Sequence, residues 1–367
     1  MKASWFYGSG HGRLGWRQQR TESADLIFYP GPREAAAGYT APGRLALSYS
    51  WPRYTVQLVA IGSITLDIVV SGMPAELARG DKQEVGSIDL YPGGGALNAT
   101  ASFMGQGETV RLVGALGRDG LGARLHEHLE QLGVAVGSIQ FCPDQPTGKA
   151  IVLVEPSGSA SVLARRGANA CLRVQAQDLL ADLVYVAPLA LQPMESLAQA
   201  LSGKSANSSC LVVNPSVACL QHQGQGFRQV YAQADVLGLN AVEAQMLAGV
   251  QGADIQLDLS VQHACALASR LQHHAQQALL ITLGAQGAVL LFQGQHYVQP
   301  ACKVTVCSTV GAGDAFLSSF ALAWKRGVGP TRALTVASQA AAMRLEQWAA
   351  NAFPPLLGED DNERLVP

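Results

Sequence analysis

The chain has 367 residues, of which 48% are hydrophobic and 14% are charged, and its formal net charge at pH 7 is −2. This composition is typical of a globular protein with a large core, and it excludes a wholly disordered chain. The nearly balanced charge gives no electrostatic reason to expect nucleic acid or an anionic membrane as a partner, and the apolar runs are shorter than the roughly 20 residues that cross a bilayer. We therefore expect a soluble protein that binds neither.

The seven cysteines are scattered along the chain, without a CxxC pair and without a secretory signal. This usage is typical of a compartment that keeps thiols reduced. We expect a cytoplasmic protein in which most cysteines are small core residues.

Residues 1–54 show neither helical nor strand periodicity. Gly10, Gly12 and Gly15 have the spacing of a dinucleotide fingerprint, but no apolar strand precedes them and no amphipathic helix follows. A dinucleotide oxidoreductase therefore has little support. We predict a disordered N-terminal extension, of the kind that a start codon assigned too far upstream would create, with a functional arm as the alternative.

From residue 55 onward, short apolar segments alternate with helical ones, which predicts an α/β fold with a mostly parallel sheet covered on both faces. Leu121, Leu125, Leu129 and Leu132 recur at helical spacing, and Gly133 suits the end of that helix. The predicted strands span 58–61, 110–113, 150–154, 184–187, 210–213, 236–239, 279–282 and 288–292.

Residues 68–92 and 148–166 fit this alternation less well. They contain short β-like runs separated by turns, which predicts a small flap built of strands. No linker composition divides residues 55–355 and no repeat of fixed period is present, so we predict one domain followed by a tail at 356–367.

Residues 308–316 read STVGAGDAF and precede a helix predicted to start near Gly313 or Asp314. The first amides of a helix lack intrahelical partners and lie at the positive end of its dipole, so this end can bind an anion. Gly311 and Gly313 lack side chains that would block a phosphate. Asp314 would then accept a proton from a hydroxyl that attacks the phosphorus. The alternative is an acid that only favours the helix start, beside glycines that only allow close packing.

An earlier glycine-rich region strengthens the phosphate interpretation. Residues 62–67 read GSITLD after the first predicted strand, and residues 92–117 carry paired glycines, an asparagine, a helix and a strand. With residues 308–314, they make the chain similar to the ribokinase, or PfkB carbohydrate-kinase, family. The first family signature is matched by Gly93, Gly94, Asn98, Gly107 and Gly117. Further segments in family order are GANACL at 167–172, LNAVE at 239–243 and TLGAQG at 282–287, and the resemblance covers residues 57–350.

The resemblance implies a Rossmann-like, mostly parallel sheet flanked by helices, with a small β-sheet lid. It also implies transfer of the γ-phosphate of ATP to a hydroxyl of a sugar or nucleoside. Asp314 matches the catalytic base, and the amides of Gly311, Ala312 and Gly313 match the anion hole.

On the substrate side, the resemblance implies that Asp67 accepts hydrogen bonds from substrate hydroxyls and that Asn98 contacts the sugar. Gly93, Gly94 and Gly95 belong to the same substrate-binding segment, and the first two match the hinge of a lid that closes over substrate. Two simpler readings stay open, in which Asp67 is an acid at the end of a strand and Asn98 is a helix N-cap.

On the nucleotide side, Thr282, Gly284 and Gly287 match a loop that borders ATP. Ser338 stands where ribokinase has an asparagine beside adenine. The glycines would also suit a tight turn between two strands.

Asn240 and Glu243 match an N-x-x-E element that helps to organise Mg²⁺ and phosphate through water. Mg²⁺ prefers carboxylate oxygens and keeps several waters, so one glutamate is compatible with such a role. The alternative is an ordinary surface pair at the start of a helix. The cofactors that the resemblance implies are thus ATP and Mg²⁺.

Several positions depart from ribokinase. Ser308 stands where the family commonly has an acid near a monovalent-cation site, so dependence on potassium is left open. Gly95 and Thr65 stand where ribokinase has a lysine and an asparagine, so ribose specificity is not implied. The basic residues near the substrate segments are Arg79 and Lys82, both in the predicted lid, which favours a free sugar or nucleoside over a sugar phosphate.

The sequence thus predicts an ATP-dependent kinase of a free sugar. A nucleoside kinase of the pseudouridine or adenosine type, and a non-catalytic sugar-binding regulatory protein, are the alternatives. Relatives often form homodimers through the lid. Ile68, Val69 and Val70 would suit such a contact or an internal one.

Overall fold

The computed structural model describes residues 56–74, 80, 82–202 and 209–356. The predicted N-terminal extension with its glycine run, Arg79 and the predicted tail beyond residue 356 lie outside this range. Within the range, no helix combines the length and the apolar character needed to cross a bilayer.

The strands of the described residues are short, and most are rich in valine, leucine and isoleucine, as fits strands packed on both faces. In chain order they are β1 (Leu58–Ile61), β2 (Thr65–Ser71), β3 (Ser87–Gly93), β4 (Val110–Gly117), β5 (Ile139–Cys142), β6 (Gly148–Val154), β7 (Ala160–Arg165), β8 (Leu183–Val186), β9 (Cys210–Val213), β10 (Val236–Asn240), β11 (Ala278–Thr282), β12 (Ala288–Phe292) and β13 (Gln295–Gln299).

The helices alternate with the strands of the larger sheet. In chain order they are α1 (Gly95–Gly105), α2 (Gly120–Gln131), α3 (Leu191–Ser202), α4 (Val217–His222), α5 (Gln225–Gln233), α6 (Ala241–Leu247), α7 (Val261–Leu271), α8 (Ala312–Lys325) and α9 (Pro330–Leu345). Short 3-10 turns lie at Val136–Ser138, Gly167–Ala170, Ala176–Leu179, Gly252–Asp254 and Gly284–Gln286.

Nine strands form the larger sheet, in the order β13-β12-β11-β10-β9-β8-β1-β4-β5. Every neighbouring pair from β5 to β11 is parallel, whereas β12 and β13 are antiparallel additions at one edge. Because parallel strands all end at the same edge, the loops that follow them converge on one side of the molecule. The predicted mostly parallel sheet is confirmed.

The pleat of the sheet divides its side chains between two helical layers. On one face, Val184 and Val186 belong to a buried cluster with α3 to α7. On the other face, Tyr185 meets Phe103 of α1 edge-to-face, and Gly238 leaves room for Leu317 of α8. The sheet is therefore covered on both faces, as the alternation of strands and helices predicted.

The second sheet has four strands in the order β3-β2-β6-β7, with β2 and β6 parallel and the outer pairs antiparallel. Val69, Val152 and Val154 form a buried cluster on one face, against which Val310 of the loop before α8 packs. The Thr309 N–H also donates to the carbonyl oxygen of Gly158 in the β6–β7 turn at 3.1 Å. This small sheet therefore rests on the loop that leads into α8.

All eight predicted strands are present, with ends that are the same or differ by a few residues. The predicted helix of regularly spaced leucines is α2, and Gly133 adopts the left-handed conformation expected after it, with φ of 79°. The small sheet predicted from residues 68–92 and 148–166 is confirmed by β2, β3, β6 and β7.

Candidate active site

Asp314 lies in the first turn of α8. This helix starts at Ala312, slightly before the predicted Gly313 or Asp314, because Gly311 is its N-cap in a left-handed conformation with φ of 80°. A side chain at Gly311 would collide with the carbonyl oxygen of Ala350, which lies 2.1 Å from an ideal Cβ. The backbone therefore requires glycine at this helix start.

The backbone groups of Ala312 and Gly313 at this helix start differ in their surroundings. The Ala312 N–H donates to the carbonyl oxygen of Thr309 at 3.4 Å, a weak hydrogen bond that could be exchanged for one to a ligand. Gly313 is exposed, and an ideal Cβ there would meet nothing within 4 Å. Together with the positive end of the helix dipole, this open backbone can receive an anion.

Both carboxylate oxygens of Asp314 accept hydrogen bonds from distant side chains. Asn98 Nδ2 donates to Oδ2 at 2.9 Å, and the Tyr185 hydroxyl donates to Oδ1 at 3.3 Å. Burial raises the pKa of Asp314 to about 6, the two hydrogen bonds lower this pKa, the Asp67 carboxylate raises it and the Arg344 guanidinium lowers it. At neutral pH the carboxylate is mostly ionised, yet close enough to its pKa to take up a proton.

Asn98 is held in place by the C-terminal segment. Its Oδ1 accepts a hydrogen bond at 2.9 Å from Asn351 Nδ2, which also donates to the carbonyl oxygen of Pro92 at 2.8 Å. The N-cap reading of Asn98 is wrong, because Gly94 is the N-cap of α1 and its carbonyl oxygen accepts the Asn98 N–H. An amide nitrogen carries two hydrogens, so Asn98 keeps one donor besides its bond to Asp314.

Asp67 is the third residue of β2 and therefore does not stand at a strand end. It is only 6% exposed, and its Oδ1 accepts a hydrogen bond from the Thr65 hydroxyl at 2.6 Å. Burial raises the pKa of Asp67 to about 6, against the lowering effect of Thr65. Gly93 of β3 lies against this carboxylate, with an ideal Cβ only 2.0 Å from Oδ2. Asp67 also raises the pKa of Asp314, so the two carboxylates interact electrostatically.

Gly94 lies between β3 and α1, and Gly95 is the first residue of α1. Gly94 has φ of 99°, and a Cβ there would lie 2.5 Å from the carbonyl oxygen of Ser63. An ideal Cβ on Gly95 would lie 3.6 Å from Asp314 Oδ1. The connection between the small sheet and α1 therefore passes directly beside the Asp314 carboxylate.

Asn240 and Glu243 form a reciprocal capping box at the start of α6. Asn240 Oδ1 accepts the Glu243 N–H at 2.8 Å, and Glu243 Oε2 accepts the Asn240 N–H at 2.8 Å. These hydrogen bonds are the ones expected from the alternative reading, in which the two residues are an ordinary pair at the start of a helix. Burial raises the pKa of Glu243 to about 7, the Asn240 hydrogen bond lowers it, and the negative charge of Asp314 raises it. Glu243 is therefore within electrostatic range of Asp314.

The remaining nucleotide-side residues lie at the ends of neighbouring elements. Thr282 pairs with Asn240 in the register of β10 and β11, so the two stand side by side where these parallel strands end. Gly287, with φ of 100°, turns the chain from β11 to β12, and a Cβ there would lie 2.0 Å from the carbonyl oxygen of Gln299. Gly284 has φ of 55° in the same turn. The tight-turn reading accounts for both glycines.

Ser338 is buried in α9, and its hydroxyl lies 3.4 Å from the carbonyl oxygen of Pro300 and 3.5 Å from Cys302 Sγ. Pro300 directly follows Gln299, whose carbonyl oxygen lies against Gly287. Ser338 and the β11–β12 turn therefore border the same segment after β13.

The comparison with known protein families agrees with this geometry. A family model described as pfkB family carbohydrate kinase matches residues 56–355. The chain belongs to the pfkB family of carbohydrate kinases. It is therefore a phosphotransferase with an alcohol group as acceptor.

Individual relatives and solved structures align with most of the chain. A ribokinase from Schizosaccharomyces pombe is 25% identical over 323 residues, which cover 84% of this chain and 98% of that protein. The structure of Arabidopsis thaliana ribokinase complexed with ribose and ATP has a TM-score of 0.62 at 23% identity, covering 81% of this chain and 95% of that one. A Burkholderia thailandensis nucleoside kinase in complex with inosine has a TM-score of 0.60 at 21% identity, with coverages of 81% and 93%. The chain therefore has the ribokinase-like fold.

The family implies Mg²⁺, and the donors near Asp314 suit it. Among the described residues, no group of three or more histidine, cysteine, aspartate or glutamate side chains could hold a metal by itself. Mg²⁺ usually keeps several waters and is bound through one or two carboxylates plus substrate phosphates. Glu243 fits such a site, because its capping bond engages Oε2 and leaves Oε1 for a water of the ion.

Two residues of this candidate site were missed by the sequence analysis. Tyr185 lies inside the apolar run of β8, where a single tyrosine among valines was a signal that its hydroxyl needs a polar partner. Asn351 lies in an irregular segment after α9, and nothing in its local sequence indicated a bond to Asn98. Both contacts join segments far apart in the chain.

Proposed function

We propose that this pfkB-family protein is an ATP-dependent kinase that phosphorylates a hydroxyl of a free sugar, with Asp314 as the general base. The observation that carries the proposal is the placement of Asp314. Its partly buried carboxylate, with a pKa raised to about 6, lies in the first turn of a helix whose N-cap is a left-handed glycine. A proton acceptor and an anion-binding helix start therefore lie side by side.

In the proposed reaction, Asp314 takes the proton of the substrate hydroxyl as its oxygen attacks the γ-phosphorus of ATP. The new O–P bond forms while the bond from the γ-phosphorus to the bridging oxygen breaks, and ADP leaves with that electron pair. The amides of Gly311, Ala312 and Gly313 would stabilise the charge on the transferred group. Their support is the open backbone at Gly313 and the weak bond of Ala312.

The pair of carboxylates favours a neutral substrate. Asp67 and Asp314 are both buried enough to have raised pKa values and, when ionised, would repel a second phosphate group on the acceptor. Asp67 can accept hydrogen bonds from hydroxyls, and Asn98 keeps a free donor. This favours a free sugar. A nucleoside is the second candidate, supported by the likeness to the nucleoside kinase that binds inosine.

Closure of the small sheet would exclude water from this site. Gly93 is the last residue of β3 and Gly94 links this strand to α1, and these two residues are proposed to act as the hinge of the sheet. On the nucleotide side, Thr282, Gly284, Gly287 and Ser338 are proposed to border ATP. The support is that Gly287 and Ser338 both lie beside the segment after β13, and that Thr282 stands next to Asn240 at the ends of β11 and β10.

The experiment that tests the activity is ADP release from Mg-ATP across a panel of free sugars, nucleosides and sugar phosphates. Turnover with one class of hydroxyl compound would support the kinase and identify its substrate class. If no compound gives turnover but a sugar binds in calorimetry, the protein is a sugar-binding regulatory protein instead.

Glu243 is proposed to act on Mg²⁺ through water. When bound, the ion neutralises charge on the phosphates. Glu243→Gln keeps the capping box, since glutamine serves at this helix position, but removes the charge. We expect the Mg²⁺ concentration for half-maximal rate to rise roughly tenfold or more. Glu130→Gln, an exposed change on α2, is the matched control. An unchanged Mg²⁺ dependence would leave Glu243 with the capping role alone.

A further inference from the structure

Arg344 is a buried cation close to the end of α9. Arg344 is only 5% exposed, and its Nη1 donates a hydrogen bond to the carbonyl oxygen of Gln347 at 3.0 Å. Nε and Nη2 are buried and have no hydrogen-bond partner among the described residues. Burying an unpaired charge is costly, so this guanidinium needs a compensating interaction.

The surroundings of Arg344 place it behind the start of α8. The carbonyl oxygen of the next residue, Leu345, accepts the N–H groups of Cys307 at 2.7 Å and Ser308 at 3.3 Å. A few residues further, the carbonyl oxygen of Ala350 packs against Gly311. The chain from Arg344 to Ala350 therefore wraps around the segment that leads into the proposed anion hole.

The charges around Arg344 match this position. The acidic groups that interact with it are the Cys307 thiol and the Asp314 carboxylate. Burial lowers the pKa of Arg344 to about 10, and both acidic groups raise it, so the guanidinium remains positive at neutral pH. No salt bridge of the described residues includes it.

A monovalent cation does not fit this place. Ser308, which stands where the family commonly has an acid, is fully buried and neutral, and its Oγ accepts the Val310 N–H at 3.3 Å. A cation there would lack the carboxylate and would be repelled by Arg344. The residues that surround the loop before α8 thus already include a positive charge.

We propose that the Arg344 guanidinium is a built-in cation that supports the anion hole from behind, so that this kinase does not need a monovalent cation. This inference rests on the proposed function. Arg344 is a positioning residue, which acts on phosphate binding through its charge.

The test is calorimetric titration of Mg-ATP into the full chain, in potassium chloride and in tetramethylammonium chloride. For the wild type we expect the same affinity in both salts, within about twofold. In tetramethylammonium chloride, Arg344→Met should weaken binding about tenfold, the effect of losing one close charge interaction, whereas Arg344→Lys should stay close to wild type. Arg332→Met, an exposed change on the same helix, is the matched control.

The outcomes separate this inference from the kinase proposal. If Arg344→Met melts like the wild type and binds Mg-ATP equally well, the inference is wrong. Should this variant not fold, the wild type alone decides: an affinity that rises tenfold or more with potassium would overturn the inference, and an affinity independent of potassium would support it. A wild type that binds no Mg-ATP in either salt would overturn the proposed function as well.

Discussion

At the residue scale, the proposed base is held by two side chains that come from different layers of the fold. Asn98 reaches Asp314 from α1, and Tyr185 reaches it from β8. Burial raises the pKa of the Tyr185 hydroxyl, so this group stays protonated and can only donate to the carboxylate. Asp314 therefore keeps a fixed orientation before any substrate is bound.

The Tyr185 hydrogen bond has a predictable effect on the pH dependence of catalysis. Because Asp314 must be ionised to act as a base, kcat/KM of the wild type should fall below about pH 6, the pKa of this carboxylate. Tyr185→Phe removes a bond that stabilises the ionised form, so the pKa rises and the acidic limb should move upward by about 0.5–1 pH unit.

The measurement is the pH profile of kcat/KM for the wild type, Tyr185→Phe and Tyr231→Phe. Tyr231 is a half-buried tyrosine of α5 that stacks on Phe227, and its loss should leave the acidic limb in place. A limb that stays at the wild-type pH in Tyr185→Phe would show that this hydroxyl does not stabilise the Asp314 carboxylate.

At the element scale, the start of α8 separates two roles of glycine that the sequence alone could not distinguish. Gly311 is required by its left-handed backbone and by the Ala350 carbonyl oxygen. Gly313 has helical surroundings and open space. The motif predicted a helix start with an exposed backbone, but it did not show which glycine serves the fold and which leaves access for a ligand.

Alanine substitutions should separate these roles. Gly311→Ala should destabilise the protein by about 1–2 kcal/mol from the left-handed backbone alone, with a further loss from the clash at Ala350. Gly313→Ala should keep or slightly raise the melting temperature, because alanine favours a helix, but should lower turnover about tenfold or more by crowding the phosphate. Thermal melting and ADP release measure both. Full turnover in Gly313→Ala would contradict an approach of phosphate to that backbone.

Elements with strong apolar runs could be predicted from the sequence, whereas others could not. The buried strands of the large sheet are short apolar runs dominated by valine, leucine and isoleucine, such as LVYV in β8 and ALLIT in β11, so their positions followed directly. β13 (Gln295–Gln299) reads QHYVQ and was missed, because an edge strand with polar side chains has no such signal. β5 (Ile139–Cys142), a four-residue strand at the other edge of the sheet, was also missed.

At the scale of the whole molecule, the described residues of the small sheet expose an apolar face. Across its four strands, Val70 pairs with Ile88, and Ile68 pairs with Ile151, which in turn pairs with Leu163. Ile88 and Leu163 are more than half exposed, at 64% and 63%. Ile68, Val69 and Val70 were considered for a dimer contact. Val69 does not belong to this surface, because its side chain points to the opposite face of the sheet and packs internally.

We expect this face to form a homodimer, because contiguous exposed apolar patches mark interaction surfaces. Sedimentation velocity should show a dimer for the wild type, and Leu163→Glu should shift it to the monomer. Leu257→Glu, an exposed apolar position outside the small sheet, should leave the dimer intact. A wild type that sediments as a monomer at every concentration would contradict a dimer through this face.

The fold and the central acid were predictable from the sequence, but the network around that acid was not. The position of Asp314 in the first turn of a helix was predicted from the glycine-containing motif at 308–314 and the helical pattern that follows it. The bonds from Asn351 to Asn98 and from Tyr185 to Asp314 join residues that are 253 and 129 positions apart, and they exist only because the sheet and the C-terminal segment come together. Local sequence carries no record of such contacts.

The most direct test of the account is the rate of ADP release by Asp314→Asn with the best substrate of the wild type. The account predicts a loss of about 10²- to 10⁴-fold with Mg-ATP binding retained, since asparagine fills the same space but cannot take the proton. Asp254→Asn, an exposed change at the end of a short 3-10 turn, should turn over like the wild type. A rate for Asp314→Asn within tenfold of the wild type would contradict Asp314 as the general base.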